Sequence, residues 1–246
     1  MSKKKLPTPK EQPVVITVAM PCHDMCQSLW AHDLAGMLTY TVACLGDKIG
    51  IRILMIQNTY IQKARENLVE TALDQGTHYI LFVDSDMRFP KEALVQLLAH
   101  DVDVVGVNYS TRGFPPQFVA IKDRKIPEEY QLGTEHSLRA NRHPTLADST
   151  GLEKTHAVGG GLLLLKSQIF DDLPRPWFNT ISMADGSVIG EDVHFCRLLE
   201  DAGIDVWLDQ DLSQKIGHIG QMVFMTEHAA DMWHNQGEYE DGADNV

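Results

Sequence analysis

Tyr79-Ile-Leu-Phe-Val-Asp84-Ser85-Asp86-Met87 is the stretch on which the fold turns. Its five opening residues are apolar or aromatic and too few for a buried helix, which predicts a strand covered on both faces, as in a parallel sheet. Two carboxylates follow just past the strand's C-terminal end, the edge at which open parallel sheets bind ligands. In extended chain, residues i and i+2 point the same way, so Asp84 and Asp86 can converge on one site. Two unpaired carboxylates that close repel each other. A hard divalent cation such as Mn²⁺ or Mg²⁺ relieves the repulsion and can bridge diphosphate oxygens. Aspartates are common in surface turns, so the strand in front of this pair is what gives it weight.

The same alternation runs outward on both sides. Val14 to Met20 reads as a buried strand, Ser28 to Leu45 as a helix and Ile51 to Ile56 as a second strand. Tyr60 to Asp74 carries Ile61, Ala64, Leu68, Val69, Ala72 and Leu73 on one helical face and ends at Gly76, a C-terminal cap. Pro90 opens a short helix, Lys91 to His100, where its missing N–H costs nothing. Val102 to Val107 is a fourth strand. This order predicts an α/β fold: an open, mostly parallel central sheet with helices on both faces.

The rhythm then breaks. Lys122 to His156 is polar, with Pro127 and Pro144 and equal numbers of acids and bases, and reads as a long loop that is either functional or partly disordered. Order resumes at Ala157 to Lys166, a strand or strand pair entered through glycines. Glu191 to Ala202 reads as a helix capped by Gly203, and Ile204 to Leu208 as a last strand. Met222 to Met232 reads as a C-terminal helix or lid. The expected organisation is a basic tail over residues 1–12, one domain over 13–236 with halves at 13–110 and 111–236, and an acidic tail over 237–246.

Composition narrows the classes. The chain has 246 residues, enough for a real core, and 43% are hydrophobic. Lys and Arg number 21 against 34 Asp and Glu, a net charge of −13. That balance argues against gripping nucleic acid by general electrostatics, though not against a local basic groove such as Lys122, Arg124, Lys125, Arg139 and Arg142. The acidity serves solubility, or some carboxylates hold a cation. The longest clean apolar stretch, Val158 to Leu165, is too short to cross a bilayer, and the basic N-terminus lacks the apolar run of a signal peptide. Four cysteines without a dense framework point to a reducing cytoplasm.

Two further motifs complete a set. Gly190-Glu191-Asp192 opens a helix, where acids also suit the helix dipole. Lys215-Ile-Gly217-His218-Ile-Gly220 places an imidazole between glycines, with room to meet a ligand. The ordered set of VDSDM after a strand, GED opening a helix and a downstream GHIG resembles GT-A-fold glycosyltransferases, family-2-like enzymes in particular. Asn58 to Leu68 followed by THYILFVDSDMRFP is similar to the short members common in bacteriophage genomes. The resemblance spans roughly Val14 to Gly220 and implies a GT-A-type sheet with a Rossmann-like nucleotide-binding half and an acceptor half.

It also implies roles. Pro21, Cys22 and His23 would line the nucleotide base pocket. Arg65, with Asn67, would face the nucleotide or its phosphates. Asp84, with Ser85, would hold the ribose or, through water, the metal; Asp86 and His218 would bind the metal, Mn²⁺ or Mg²⁺. Gly160 and Gly161 would let the donor sugar or acceptor approach the backbone. Asp192 would be the catalytic base and Glu191 would bind sugar or acceptor hydroxyls. Trp177 would stack on a sugar or base, or fill a packed hydrophobic corner. The QxxRW motif and membrane helices of processive synthases are not visible.

The expected activity is metal-dependent transfer of a sugar from a nucleoside-diphosphate donor, a UDP-sugar by resemblance, to a hydroxyl of a soluble acceptor in the cytoplasm, the host's if the chain is phage-encoded. By resemblance the acceptor is a hydroxymethylated base in DNA, or else a glycan or protein; no membrane partner is expected. A nucleotidyltransferase on a similar sheet would want a Gly-rich basic loop after the first strand, which MPCHDMCQ lacks. A non-catalytic nucleotide-sugar binder would bind UDP and Mn²⁺ without releasing UDP from a donor. The Cys22–Cys26 spacing, with no second Cys/His pair at finger distance, is a poor match to structural zinc.

Overall fold

The computed structural model describes residues 12–113, 115–124, 141–182 and 188–220. Residues 1–11 of the basic tail, the acidic tail, Met222 to Met232, Lys125 and Arg139 lie outside them. In chain order the strands are β1 (Val14–Cys22), β2 (Ile49–Gln57), β3 (Tyr79–Val83), β4 (Met87–Arg88), β5 (Val104–Gly106), β6 (Leu152–Thr155), β7 (Leu162–Lys166), β8 (Ile181–Ser182), β9 (Val188–Ile189), β10 (Val206–Asp209) and β11 (Gly217–His218). The helices are α1 (Ser28–Leu45), α2 (Ile61–Asp74), α3 (Ala93–Ala99), α4 (Glu191–Asp201) and α5 (Gln210–Ser213). Gly76 and Gly203 follow α2 and α4 at φ +68° and +75°, the left-handed conformation that ends a helix without a Cβ penalty.

Seven strands form one sheet in the order β2-β1-β3-β7-β5-β10-β6. The pairs β1/β2, β1/β3 and β5/β10 are parallel. This is the α/β architecture expected, a mixed, mostly parallel sheet with helices around it. Period-2 alternation splits each central strand between two cores. Ile80, Phe82, Leu163 and Leu165 pack with Leu68, Val69 and Ala72 of α2 and Phe195 and Leu199 of α4. Leu81, Val83, Leu162 and Leu164 pack on the other face with Trp30 and Met37 of α1 and Leu94 and Leu97 of α3.

Two departures from the expected topology matter. β3 and β5 are not neighbours: β7 lies between them, antiparallel to both. Its Leu162-Leu-Leu-Leu165 run is buried on both faces, and only a central slot satisfies that. Before it, Ala157 makes an isolated antiparallel bridge to Ile121 and residues 158–161 are loop rather than strand. The second departure is β6, inside the segment read as loop. It is a largely exposed edge strand, antiparallel to β10, and its Leu-Glu-Lys-Thr composition carries no strand signal.

Reversing β7 brings its N-terminal end to the C-terminal end of β3, with Leu162 opposite Val83. The glycines before β7 thus arrive beside Asp84, whose N–H donates to the Gly161 carbonyl at 2.9 Å. The ribbon β4/β11 pairs Met87 with His218 and brings the GHIG segment to the same edge.

Candidate functional site

Arg65 is the centre of the cluster. It projects from α2, is 2% exposed and lies over the Phe82 ring, 5.0 Å from its centroid. Its Nη2 donates to both carboxylate oxygens of Asp84, at 2.9 and 3.1 Å. Nε donates to Glu191 at 3.3 Å and Nη1 to the Gly160 carbonyl at 3.2 Å. One buried guanidinium therefore ties the end of β3, the start of α4 and the glycine loop together. Its donors are committed to protein, so the expectation that it faces phosphates is corrected: Arg65 positions the carboxylates. Asn67 is partly exposed and not among its partners.

The glycines serve the same packing. A Cβ on Gly160 would sit 2.5 Å from the Arg65 Cζ, and one on Gly161 2.8 Å from the Tyr109 hydroxyl. A Cβ on Gly159 would overlap the same hydroxyl. The room expected for a donor sugar at Gly160 and Gly161 is filled by Arg65 and Tyr109. Tyr109 is buried and its hydroxyl accepts the Gly161 N–H at 3.1 Å. Burial, with the charges of Asp84 and Asp192, pushes its phenol far up, so it stays neutral.

Asp86 points elsewhere. Its Oδ2 accepts from Arg112 Nη1 at 2.7 Å and lies 3.5 Å from His218 Nε2. Burial works against its charge, but His218 and Arg112 outweigh burial and hold the carboxyl below its usual range. His218 Nδ1 is 2.9 Å from the Ser110 carbonyl, so that nitrogen carries the proton. Nε2 then faces the Asp86 carboxylate, which together with the Ser110 carbonyl favours the protonated ring and raises the imidazole's pKa. Among the described residues no group of three or more His, Cys, Asp or Glu side chains gathers to hold a metal by itself.

Asp192 sits in the first turn of α4, where its Oδ1 accepts the Val193 N–H at 2.7 Å. Burial and the neighbouring Glu191 push its carboxyl up to about 6. Arg142 has its Nη1 on the Val119 carbonyl at 2.9 Å, and Asp192 contributes to its electrostatic surroundings. Arg124 is engaged with Glu200 and Asp201.

The remaining candidates separate. Pro21 and Cys22 are buried at the end of β1, past the last β1/β3 pair, Ala19 with Phe82, while His23 is exposed beyond them. Ser85 is partly exposed and its carbonyl receives the Gln27 N–H at 3.4 Å. Trp177 is not at the site. It is 3% exposed, packs edge-on against Phe170, and its indole N–H donates to the Leu173 carbonyl. The packed-corner reading holds and the stacking role is withdrawn. Glu66 fixes that corner by accepting the N–H groups of Trp177 and Phe178, each at 3.1 Å.

Tyr109 and Arg112 went unremarked in the sequence. The rule that singled out Asp84 applies to them too, because both follow closely on a buried strand, β5, at its C-terminal end.

No protein-family profile matches the chain, and no curated protein matches it in sequence. Among solved structures it is similar to the crystal structure of A197 from STIV, at 12% identity and a TM-score of 0.49, over 86% of this chain and 96% of that one. A likeness this loose fixes neither residues nor activity.

Proposed function

We propose that this protein is a metal-dependent glycosyltransferase that moves a sugar from a nucleoside-diphosphate donor to an acceptor hydroxyl. The observation that carries the reading is the gathering of three differently prepared carboxylates on one sheet edge. Asp84 is locked to Arg65, Asp86 faces His218, and Asp192 is tuned to about 6. A set of carboxylates whose surroundings push them apart divides the labour of binding and proton transfer.

In the proposed reaction the acceptor oxygen attacks the anomeric carbon and the bond from that carbon to the diphosphate breaks. The acceptor proton passes to a carboxylate oxygen of Asp192, which is ionised at neutral pH and basic enough to take it. Arg65 holds Asp84 and Glu191 in place and so keeps the Asp192 turn of α4 against the end of β3. Asp86 and His218 would hold Mn²⁺ or Mg²⁺. When bound, the ion supplies positive charge against which the diphosphate departs. Asp84 and Ser85 are proposed to meet the donor ribose, and Pro21, Cys22 and His23 the base. No helix of the described residues is long and apolar enough to cross a membrane. A hydroxymethylated base in DNA remains one proposed acceptor, with glycan or protein as the others.

Titration calorimetry with UDP and Mn²⁺ tests the donor site, and a donor-hydrolysis assay tests turnover. Incubation with a panel of nucleotide sugars and hydroxymethylated DNA, followed by mass analysis of the nucleosides, tests the acceptor. Failure to bind any nucleoside diphosphate with Mn²⁺ would reject the reading.

A further inference from the structure

A cavity of about 430 Å³ lies between α1 and the chain leaving β4. Its charged lining is His32, Asp33, Arg88, Lys91 and Lys215. The carboxylate is already neutralised: Asp33 Oδ2 accepts Arg88 Nε at 2.5 Å and the Phe89 N–H at 3.3 Å, and Oδ1 takes Arg88 Nη2 at 3.3 Å. Two ammonium groups remain, beside the His32 imidazole, whose Nδ1 lies 3.3 Å from Asp33 Oδ1 and, among the described residues, leaves Nε2 free for a ligand. Lys91 has Glu92 at 3.8 Å and the Tyr40 ring at 5.4 Å. Lys215 makes no ion pair among the described residues. On a chain of net charge −13, a cavity lined by Arg88, Lys91 and Lys215 against the one carboxylate of Asp33 stands out.

A second observation points the same way. Gly36 lies inside α1, where glycine weakens a helix. Nothing in the packing demands it, because a Cβ there would meet only the Lys91 Cβ, at an ordinary 3.8 Å. The missing side chain leaves the cavity open, and Gly36, Phe89 and Pro90 give it an apolar part beside the cations. Small-ligand sites combine such a surface with a few convergent polar groups.

We infer that this cavity binds the phosphate group of an organic phosphate, with Lys91, Lys215 and His32 on the anion and Gly36, Phe89 and Pro90 against the attached body. The inference does not depend on the transferase reading.

The test is titration of the full chain with inorganic phosphate, followed by amide NMR shifts. Shifts should concentrate at His32 to Gly36 and Arg88 to Lys91. Lys91→Glu and Lys215→Glu should each weaken binding at least fivefold, and Gly36→Leu should remove it while Gly36→Ala retains it. Circular dichroism checks that each variant folds. Repeating the titration with a 5′-phosphorylated dithymidine and with ribose 5-phosphate separates a nucleic-acid source from a small metabolite, and tighter binding of either supports the cavity. Absent shifts at these residues, or unchanged affinity in the Lys91→Glu/Lys215→Glu double variant, would overturn the proposal. Asp192→Asn should bind phosphate as the parent does, so loss of transfer and loss of this cavity are told apart.

Discussion

The guanidinium of Arg65 lies where the side chain of residue 160 would be: a Cβ on Gly160 would stand 2.5 Å from the Arg65 Cζ. Any side chain at residue 160 would push the Arg65 head group away from its partners on Asp84, Glu191 and the Gly160 carbonyl. Gly160→Ala should therefore displace Arg65 and lower stability by about 1–3 kcal/mol, the usual range for overpacking. Urea denaturation measures it; an unchanged midpoint would mean that the loop yields freely.

Arg65→Lys should not rescue the arrangement. An ammonium is a point donor and cannot reach Asp84, Glu191 and the Gly160 carbonyl from one planar fork. Arg65→Ala leaves Asp84 without its partner and should cost about 3–5 kcal/mol, as broken buried pairs do. The measurement is again chemical denaturation, paired with UDP affinity.

Asp192→Asn should separate activity from stability. The carboxyl sits at about 6 in the fold and near its ordinary value when unfolded, so the folded state binds more protons between those values. Its contribution to stability is present below about pH 4 and is lost as pH rises through about 6, on the order of 2–3 kcal/mol. The asparagine variant should thus be more stable than the parent at pH 7.5 and differ little at pH 4. Transfer should fall while donor binding stays. In the parent, turnover should rise with pH through about 6, and a flat profile from pH 5 to 8 would place the base elsewhere.

Asp86→Ala should reduce Mn²⁺-dependent UDP binding at least tenfold, since it removes one of two proposed protein ligands. It also frees Arg112, whose Nη1 is 2.7 Å from the carboxylate. Unchanged Mn²⁺ affinity by calorimetry would reject the assignment.

Glu66→Ala serves as the contrast. It leaves the Trp177 and Phe178 N–H groups buried and unpaired, at a cost of about 2–4 kcal/mol. UDP affinity with Mn²⁺ should not change in the folded fraction, because Glu66 acts on the Trp177 corner alone.

Much of the site was legible because it follows from local pattern. Asp84 and Asp86 were candidates from a buried strand and the edge beyond it, and Asp192 from the resemblance carried by the Gly190-Glu191-Asp192 motif. Arg65 was found but misassigned: a sequence shows that an arginine is available, not that its donors are used up by Asp84, Glu191 and Gly160. Trp177 was undecided for the same reason, since an aromatic residue in a loop reads alike whether packed or presented.

The chain's own order of residues determined the strand–helix alternation, the two apolar faces of the sheet and the place where carboxylates leave it. These depend on periodicity and on turn residues, which act between near neighbours. Only the tertiary structure decided that β7 enters between β3 and β5 in reverse, that β6 closes the far edge, and that the glycines make room for Arg65 and Tyr109. Those are choices between distant segments, settled by which arrangement buries Leu162 to Leu165 on both sides.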